Sequence, residues 1–376
     1  MNLQALVLCP DAKIVRILRR LLNELEIDVQ HCADADNAIR KLTRNRFEAV
    51  IVDCTKHLDS QVLRSARSAP CNKRAVAVAI VDGEKTLGSV FELGAHFVLY
   101  KPIFVERAKS SFRAARALMK RERRRNVRVP VEIEITLTRD GMRGAQTALT
   151  SDIGEGGIAL LQAPRLKSGD RMQVRFTLPG TDRILKTTGE VAWENAHHQL
   201  GIRFVDLAPD AQAHLNAWLG SHSPDIDQDD PPVPCKLTDL SLGGCYLELP
   251  SPFPVQTMLT LSMSAAEVEV RAQGIVRVMH PEIGMGVEFT QRTDPQKEQV
   301  EKFIHTLAGN IDVTPDLMVH PESLDAIQEP RTTHPSPGED PLLDLFLRNP
   351  DLTHHAFQLE LGKQRSHSSQ EAGVSR

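Results

Sequence analysis

Two stretches of the chain repeat one another at a nearly constant spacing, and this limits the folds open to it more than any other feature. Asp152 and Gly157 recur as Asp239 and Gly244. Gly189 with Val191 recurs as Gly274 with Val276, and Gly201-Ile-Arg-Phe recurs as Gly286-Val-Glu-Phe. The offset stays at 85 to 87 residues, as from 152 to 239 and from 201 to 286. A whole set of positions repeated at one spacing marks a duplicated domain. The first copy strings together VRVPVEIEITLTR, GIALLQ, RMQVRFTLP, ILKTTGEVAW and QLGIRFVDL, punctuated by Gly and Pro, and closes on PDAQAHLNAWLG. The second also ends in a helical stretch, DPQKEQVEKFIHTLAG. Short strands with turn signals and one terminal helix predict a small β-barrel in each copy.

The chain before the repeats follows another rhythm. The apolar runs LQALVL, DVQHC, FEAVIVD, RAVAVAIVD and HFVLY alternate with helical patterns such as KIVRILRRLLNELE, where Ile14, Ile17, Leu18, Leu21, Leu22 and Leu25 keep helical spacing. Five strands alternating with five helices predict a doubly wound α/β domain on a five-stranded parallel sheet, with its reactive groups at the carboxyl ends of the strands. The expected division is a multidomain one: 1–119 for the α/β domain, 120–220 for the first barrel, 221–234 for an acidic, Pro-rich linker, 235–309 for the second barrel and 310–376 for a tail. The tail is polar and rich in Pro, His and Ser, so most of it is expected to be disordered. Its apolar stretch DPLLDLFLRNPDL reads either as a short docking helix or as an apolar patch in a disordered segment.

At 41% hydrophobic and 25% charged the composition is ordinary for a soluble globular protein, and the net charge of −4 is mild. Charge distribution says more. Basic residues crowd around Arg107–Arg128, and acidic ones gather at Asp225, Asp227, Asp229, Asp230 and in the tail. This asymmetry predicts a local anion site rather than a broad nucleic-acid surface, and almost no aromatics interleave the basic run. Cys9, Cys32, Cys54, Cys71, Cys235 and Cys245 show no C-x-x-C spacing, so neither zinc nor a disulfide framework is expected. His197-His198 and His354-His355 read as solvated loop residues. No nucleophile or metalloprotease motif, P-loop or G-x-G-x-x-G stands in the chain, so an enzyme is not expected. The N-terminus has no signal-peptide pattern and no apolar run is long enough to span a bilayer, which predicts a cytoplasmic protein without membrane insertion.

One constellation carries chemistry. KRERRRNVRVPV holds Arg124 and Arg128 in an Arg-x-x-x-Arg spacing, with Arg123 and Arg125 beside them, and SDIGEGGIAL places Asp152 among Gly154, Gly156 and Gly157. Guanidinium groups bind phosphate and the O6/N7 edge of guanine bidentately. A carboxylate accepts from guanine N1–H and its amine, and glycines let a ligand approach the backbone. Solvated arginines at a helix end and a plain glycine turn are the ordinary alternatives.

The order RRRNVRVPV, DIGEGGIAL, GEVAW, LGIRF resembles the PilZ domain, fully over Lys120–Gly220 and in part over Cys235–Gly309. The resemblance implies a receptor for cyclic di-GMP, with no further cofactor. Arg124 and Arg128 would grip phosphate and guanine, with Arg123 beside them, and Asp152 with the backbone at Gly154 and Gly157 would hold a guanine. Gly154 stands where the family has Ser. A lost hydroxyl hydrogen bond weakens binding by about 0.5–1.5 kcal/mol, roughly tenfold. The second copy has the full turn, Asp239, Ser241 and Gly244, without preceding arginines. It is expected to pack, dimerise or bind a protein partner rather than a nucleotide.

The first 119 residues resemble a response-regulator receiver. Asp53 matches the phospho-acceptor and Lys101 the Lys before Pro. The acidic pair that would hold a metal ion reads Cys9 and Pro10, with Asp11 nearby, and the hydroxyl position aligns with Ala79. A pseudo-receiver that docks or dimerises is expected; a weakened receiver using Asp11 and Asp53 is the alternative. For the whole chain the alternative to a nucleotide sensor is an adaptor acting only through protein contacts.

Overall fold

Apolar runs suit strands covered on both faces, and four of them, with the half-exposed edge strand IDVQHC, build the first sheet. The computed structural model describes residues 2–373 except 56–59, 70, 84–86, 140–143, 162–165, 168, 195–198, 223–228, 266–267, 291–293, 310–313, 325–339 and 349–352. His197, His198, Asp225 and Asp227 lie outside the described residues. Strands β1 (Leu3–Leu8), β2 (Ile27–Cys32), β3 (Ala49–Asp53), β4 (Val76–Val81) and β5 (Phe97–Tyr100) alternate with helices α1 (Ala12–Glu24), α2 (Ala35–Arg44), α3 (Ser60–Ser68), α4 (Leu87–Glu92) and α5 (Val105–Arg125). The strands run parallel in the order β2-β1-β3-β4-β5. Every residue of β3 and β4 is buried. Strand order reverses beside β1 and β3, so a crevice opens at their carboxyl ends, where Asp53 stands. No helix among the described residues is long and apolar enough to cross a membrane.

The chain divides into two compact units, 123–228 and 2–122 with 229–376, and the boundary falls within α5. The first unit carries β6 (Arg128–Pro130), β7 (Glu134–Thr138), β8 (Gln146–Gly154), β9 (Gly157–Leu160), β10 (Arg171–Thr177), β11 (Ile184–Glu194), β12 (Leu200–Phe204) and α6 (Pro209–His222). Strands β7 to β12 pair in a ring, closed where β8 meets β9, and β6 adds to the free edge beside β8. Alternation does the work here: in β10 every second residue, Met172, Val174 and Phe176, is buried.

The second unit joins the α/β domain to another barrel: β13 (Val233–Leu240), β14 (Gly244–Glu248), β15 (Met258–Ala265), β16 (Val268–His280) and β17 (Gly284–Phe289), followed by α7 (Asp294–Gly309). These strands match β8 to β12 one for one. The position of β7 between β8 and β10 is filled in the second barrel by β18 (Asp316–Ser323), which runs antiparallel to both β13 and β15. The closing strand therefore precedes the first barrel in sequence and follows the second. Leu317, Val319, Pro321 and Ser323 alternate inward, which gives 316–323 an ordered place. The expected end of this domain at 309 thus moves to 323. The tail also supplies α8 (Pro341–Arg348) and α9 (His354–Gly373), so the expectation of disorder does not extend to these segments, and DPLLDLFLRNPDL does contain a docked helix.

The basic crowd of α5 resolves into partners. Arg107 pairs with Glu282 at 2.6 Å, Arg116 with Glu26 at 2.7 Å and Asp230 at 2.6 Å, and Lys120 with Asp230 at 2.8 Å. Arg121 pairs with Glu322. Buried Glu122 accepts from the Leu324 N–H at 2.9 Å and lies 3.5 Å from Arg74. The expected anion site is therefore not the whole run from Arg107. These residues tie the helix to the acidic linker and to the second barrel, with which the α/β domain shares one continuous core.

Candidate functional site

In the first barrel three of the predicted residues, Arg128, Asp152 and Gly154, stand together on paired strands. Arg123, Arg124 and Arg125 form the last turn of α5, and Arg128 opens β6. Pairing of β6 with β8 sets Arg128 opposite Gly154 and Pro130 opposite Asp152. The Arg128 Nη1 donates to Asp152 Oδ1 at 2.7 Å, and the Ser151 hydroxyl donates to Asp152 Oδ2 at 3.2 Å. Arg128 is 43% exposed and Asp152 26%, so the pair is open to water and held loosely.

Across the strands, Asp152 faces Ala159, Ala159 faces Gly201, and Gly201 faces Trp193. Opposed residues project to the same side of a sheet. Ala159 and Gly201 therefore form the floor between a carboxylate and an indole, and both are buried, Gly201 beneath that indole. Trp193 lies back over Gly201, where an added Cβ would come within 2.2 Å of its Nε1, yet it remains 42% exposed. A Cβ on Gly157 would stand 2.2 Å from the Ile202 carbonyl oxygen, so only glycine lets β9 and β12 approach. Gly156, beside it, faces open space. Trp193 and Gly156 were not among the predicted ligand contacts. The sequence signal for them was the Gly-x-Val-x-Trp strand and the unoccupied middle of DIGEGG.

Gly154 acquires a different meaning from a missing hydroxyl. A Cβ there would stand 2.8 Å from the Val127 carbonyl oxygen and 3.3 Å from Arg128 Cγ. The arm lies directly on this glycine and leaves no room for a serine side chain. Gly154→Ser is therefore expected to push the arm off β8 and destabilise the barrel by about 1–3 kcal/mol, the usual result of overpacking. Thermal unfolding of the full chain checks this; an unchanged or raised midpoint would restore the simple view of a lost hydrogen bond.

The second barrel keeps the turn and changes the floor. Ser241 closes its own turn: its hydroxyl accepts from the Gly244 N–H at 3.1 Å. Asp239 faces Tyr246, Tyr246 faces Gly286, and Gly286 faces Val278. The tyrosine stands where the first barrel has Ala159, and it is fully buried.

In the α/β domain, Lys101 Nζ donates to both oxygens of Asp53, at 2.8 and 2.9 Å, and Thr55 donates to Oδ1 at 2.9 Å. Burial alone would raise this carboxyl, but the hydrogen bonds from Lys101, Thr55 and Cys9 outweigh it and hold it below the usual carboxylate range. The residues do not fit a divalent cation. Asp11 caps α1, accepting from the Lys13 N–H at 2.7 Å, and Cys9 offers a thiol that burial pushes up to about 11. A neutral thiol is a poor ligand for a hard cation. Opposite Asp53 on β4 stands Ile80 rather than Ala79, and neither carries a hydroxyl. Among the described residues no cluster of three or more His, Cys, Asp or Glu could hold a metal ion.

Several solved structures are similar to part of the chain. The receiver domain of a sensor histidine kinase from Pseudomonas aeruginosa is 19% identical, covering 29% of this chain and 93% of its own, with a TM-score of 0.27. The chemotaxis protein CheY4 of Vibrio cholerae is 18% identical over 28% of this chain and 92% of its own, with a TM-score of 0.27. The inhibitor of motility from Bacillus subtilis is 19% identical over 25% of this chain and 47% of its own, with a TM-score of 0.22. At these values the likenesses say nothing about activity. No curated protein matches the chain. The PilZ domain family matches residues 122–221 and again 221–306. The chain thus carries two barrels of matching strand order, and the PilZ domain family matches both of them.

Proposed function

We propose that the first barrel binds cyclic di-GMP and that the chain is a signalling protein rather than an enzyme. The observation that carries this reading is the Arg128–Asp152 pair in the same row of strands as the exposed Trp193, beside the open backbone of Gly156. A guanine docked against the indole beside Asp152 would meet a carboxylate at its Watson–Crick edge, and Arg128 of the arm stands at the same edge for phosphate. Trp193 offers a flat apolar face for stacking. Arg123 and Arg124 end the helix that begins in the receiver-like domain, so ordering of the arm by ligand would act on α5 itself and change domain arrangement or partner binding.

Titration calorimetry of cyclic di-GMP into the full chain tests the site. Micromolar or tighter binding is expected, weakened at least about tenfold by Asp152→Ala and by Arg124→Ala, since a charge-assisted hydrogen bond is worth about 1.5–3 kcal/mol. No binding to the full chain would leave the nucleotide-independent adaptor as the reading.

The receiver-like domain then serves as a docking or dimerisation module. Incubation with acetyl phosphate and magnesium is expected to give no phosphoprotein, because Lys101 holds both oxygens of Asp53 and no acidic pair stands ready for the metal ion. A phosphorylated species that vanished in Asp53→Asn would reinstate a working receiver.

A further inference from the structure

The two barrels present the same turn, and comparison of the two turns exposes a second binding event. Gly156 of the first barrel corresponds to Gly243 of the second: Phe204 N–H donates to the Gly156 carbonyl and Phe289 N–H to the Gly243 carbonyl, at 2.9 and 2.8 Å. A Cβ on Gly156 would meet nothing within 4 Å. On Gly243 it would stand 2.6 Å from Asp340 Oδ2 and 2.9 Å from Leu343 Cδ2. The position left open in one barrel is filled in the other by the chain's own tail.

The filling is specific. The Gly243 N–H donates to Asp340 Oδ2 at 2.7 Å, while Asp340 Oδ1 accepts from the Leu343 N–H at 3.0 Å and so caps α8. One carboxylate holds the turn and starts the helix. Phe346 then lies over Gly286, where a Cβ would come within 2.5 Å of its ring. In the first barrel the matching glycine, Gly201, is covered by Trp193 of the same barrel. The second barrel has Val278 at that position, too short to cover it, and Phe346 takes the place of the indole. Behind it Phe357 of α9 stacks on Tyr246 at 4.9 Å between ring centroids. Leu342, Leu343, Phe346, Phe357 and Leu361 are all buried in this contact, with Tyr246 and Val278 beneath them.

We infer that the second barrel is a peptide-binding module whose motif face has been turned from nucleotide to helix recognition, and that its resident ligand is this chain's own tail, Asp340 with helices α8 and α9, held in cis as a latch. Its recognition elements are an acidic N-cap for the Gly243 N–H, an aromatic ring for the Gly286 gap and leucines against the barrel wall. The latch excludes nucleotide from this barrel. Its release uncovers Tyr246, Gly286 and the surrounding apolar wall. The inference does not rest on the first barrel's ligand, and its test does not use one.

Hydrogen exchange on the full chain tests the latch, read at Gly243–Tyr246 and Gly284–Gly286. Phe346→Asp is expected to raise exchange there at least about tenfold, with exchange in β10 and β11 of the first barrel unchanged. A labelled synthetic peptide spanning 339–362 is expected to bind the Phe346→Asp chain at least about tenfold more tightly than the wild-type chain, whose site is filled. The milder Asp340→Ala should raise exchange mainly at Gly243 and guards against a misfolded variant. Gly286→Ala should release the latch from the barrel side. Combining it with Phe346→Ala should then add nothing further, because both changes break one contact. Unchanged exchange in all three single variants, or peptide binding to neither chain, would overturn the inference. Dimers in the wild type that dissociate with Phe346→Asp would overturn the cis assignment by placing the helix on a second copy.

Discussion

A chain ending at residue 309 is expected to lose its folded second barrel, whereas a chain ending at 330 keeps it. The cut at 309 falls beyond the matched family region, so the family pattern alone gives no warning. It removes β18, which pairs at seven positions with β15 and at three with β13. Leu317, Val319 and Leu324 are at most 3% exposed. At about 1.5–3 kcal/mol for each such side chain, their loss amounts to roughly 5–9 kcal/mol. That is the size of a domain's whole stability, about 5–15 kcal/mol. The cut also opens two strand edges and uncovers Leu259, Leu261 and Met263, which favours edge-to-edge association. The Glu122 carboxylate loses its Leu324 N–H partner, so α5 loosens as well. Size exclusion and thermal unfolding decide the matter. The shorter chain should aggregate or lose one unfolding transition, while the longer one, which lacks only α8 and α9, should stay monodisperse. Equal behaviour of the two would mean that β18 is not an essential wall.

This expectation also marks where sequence reading reached its end. The parallel sheet and both barrels were legible because their signals are local: apolar runs for buried strands, strict alternation for barrel walls and a repeated spacing of glycines. The glycines repeat because Gly157 and Gly244 each admit a carbonyl oxygen at a distance no side chain allows. β18 was not legible. Its alternation spans only eight residues, includes His320 and Pro321, and gains meaning only from two strands far away in the chain. The basic run of α5 misled for the same reason. Its partners Glu24, Glu26, Asp230, Glu282 and Glu322 lie far from it in sequence, so a run that looked like one anion site divides, among the described residues, into five fastened residues and a short arm. At Gly154 the family pattern pointed to a lost hydroxyl, while the backbone of Val127 explains the glycine by space.

Exchanging the two charges at the candidate site should separate its structural from its binding role. Arg128→Asp and Asp152→Arg together keep an ion pair between β6 and β8 but reverse it. Each single change leaves like charges facing across the strands. Because Arg128 is nearly half exposed, the pair is worth only about 0.2–1 kcal/mol to the fold. Each single variant should therefore unfold slightly earlier, and the double variant should recover most of that difference. A weak pair also matters to the proposed ligand: a nucleotide that meets Arg128 with a phosphate or a guanine edge loses little by parting it from Asp152. Binding should behave differently from stability. A carboxylate at position 128 repels phosphate, and a guanidinium at 152 cannot accept from guanine N1–H. Removing such charged partners costs about 2–5 kcal/mol in a complex, or at least about thirtyfold in affinity. The double variant should thus fold like the wild type and bind cyclic di-GMP no better than either single variant. If calorimetry found wild-type affinity in the reversed pair, the nucleotide would have to sit elsewhere on the barrel. If the reversed pair failed to regain stability, the Arg128–Asp152 contact would not hold the arm, and the arm would have to be anchored by Val127 over Gly154 alone.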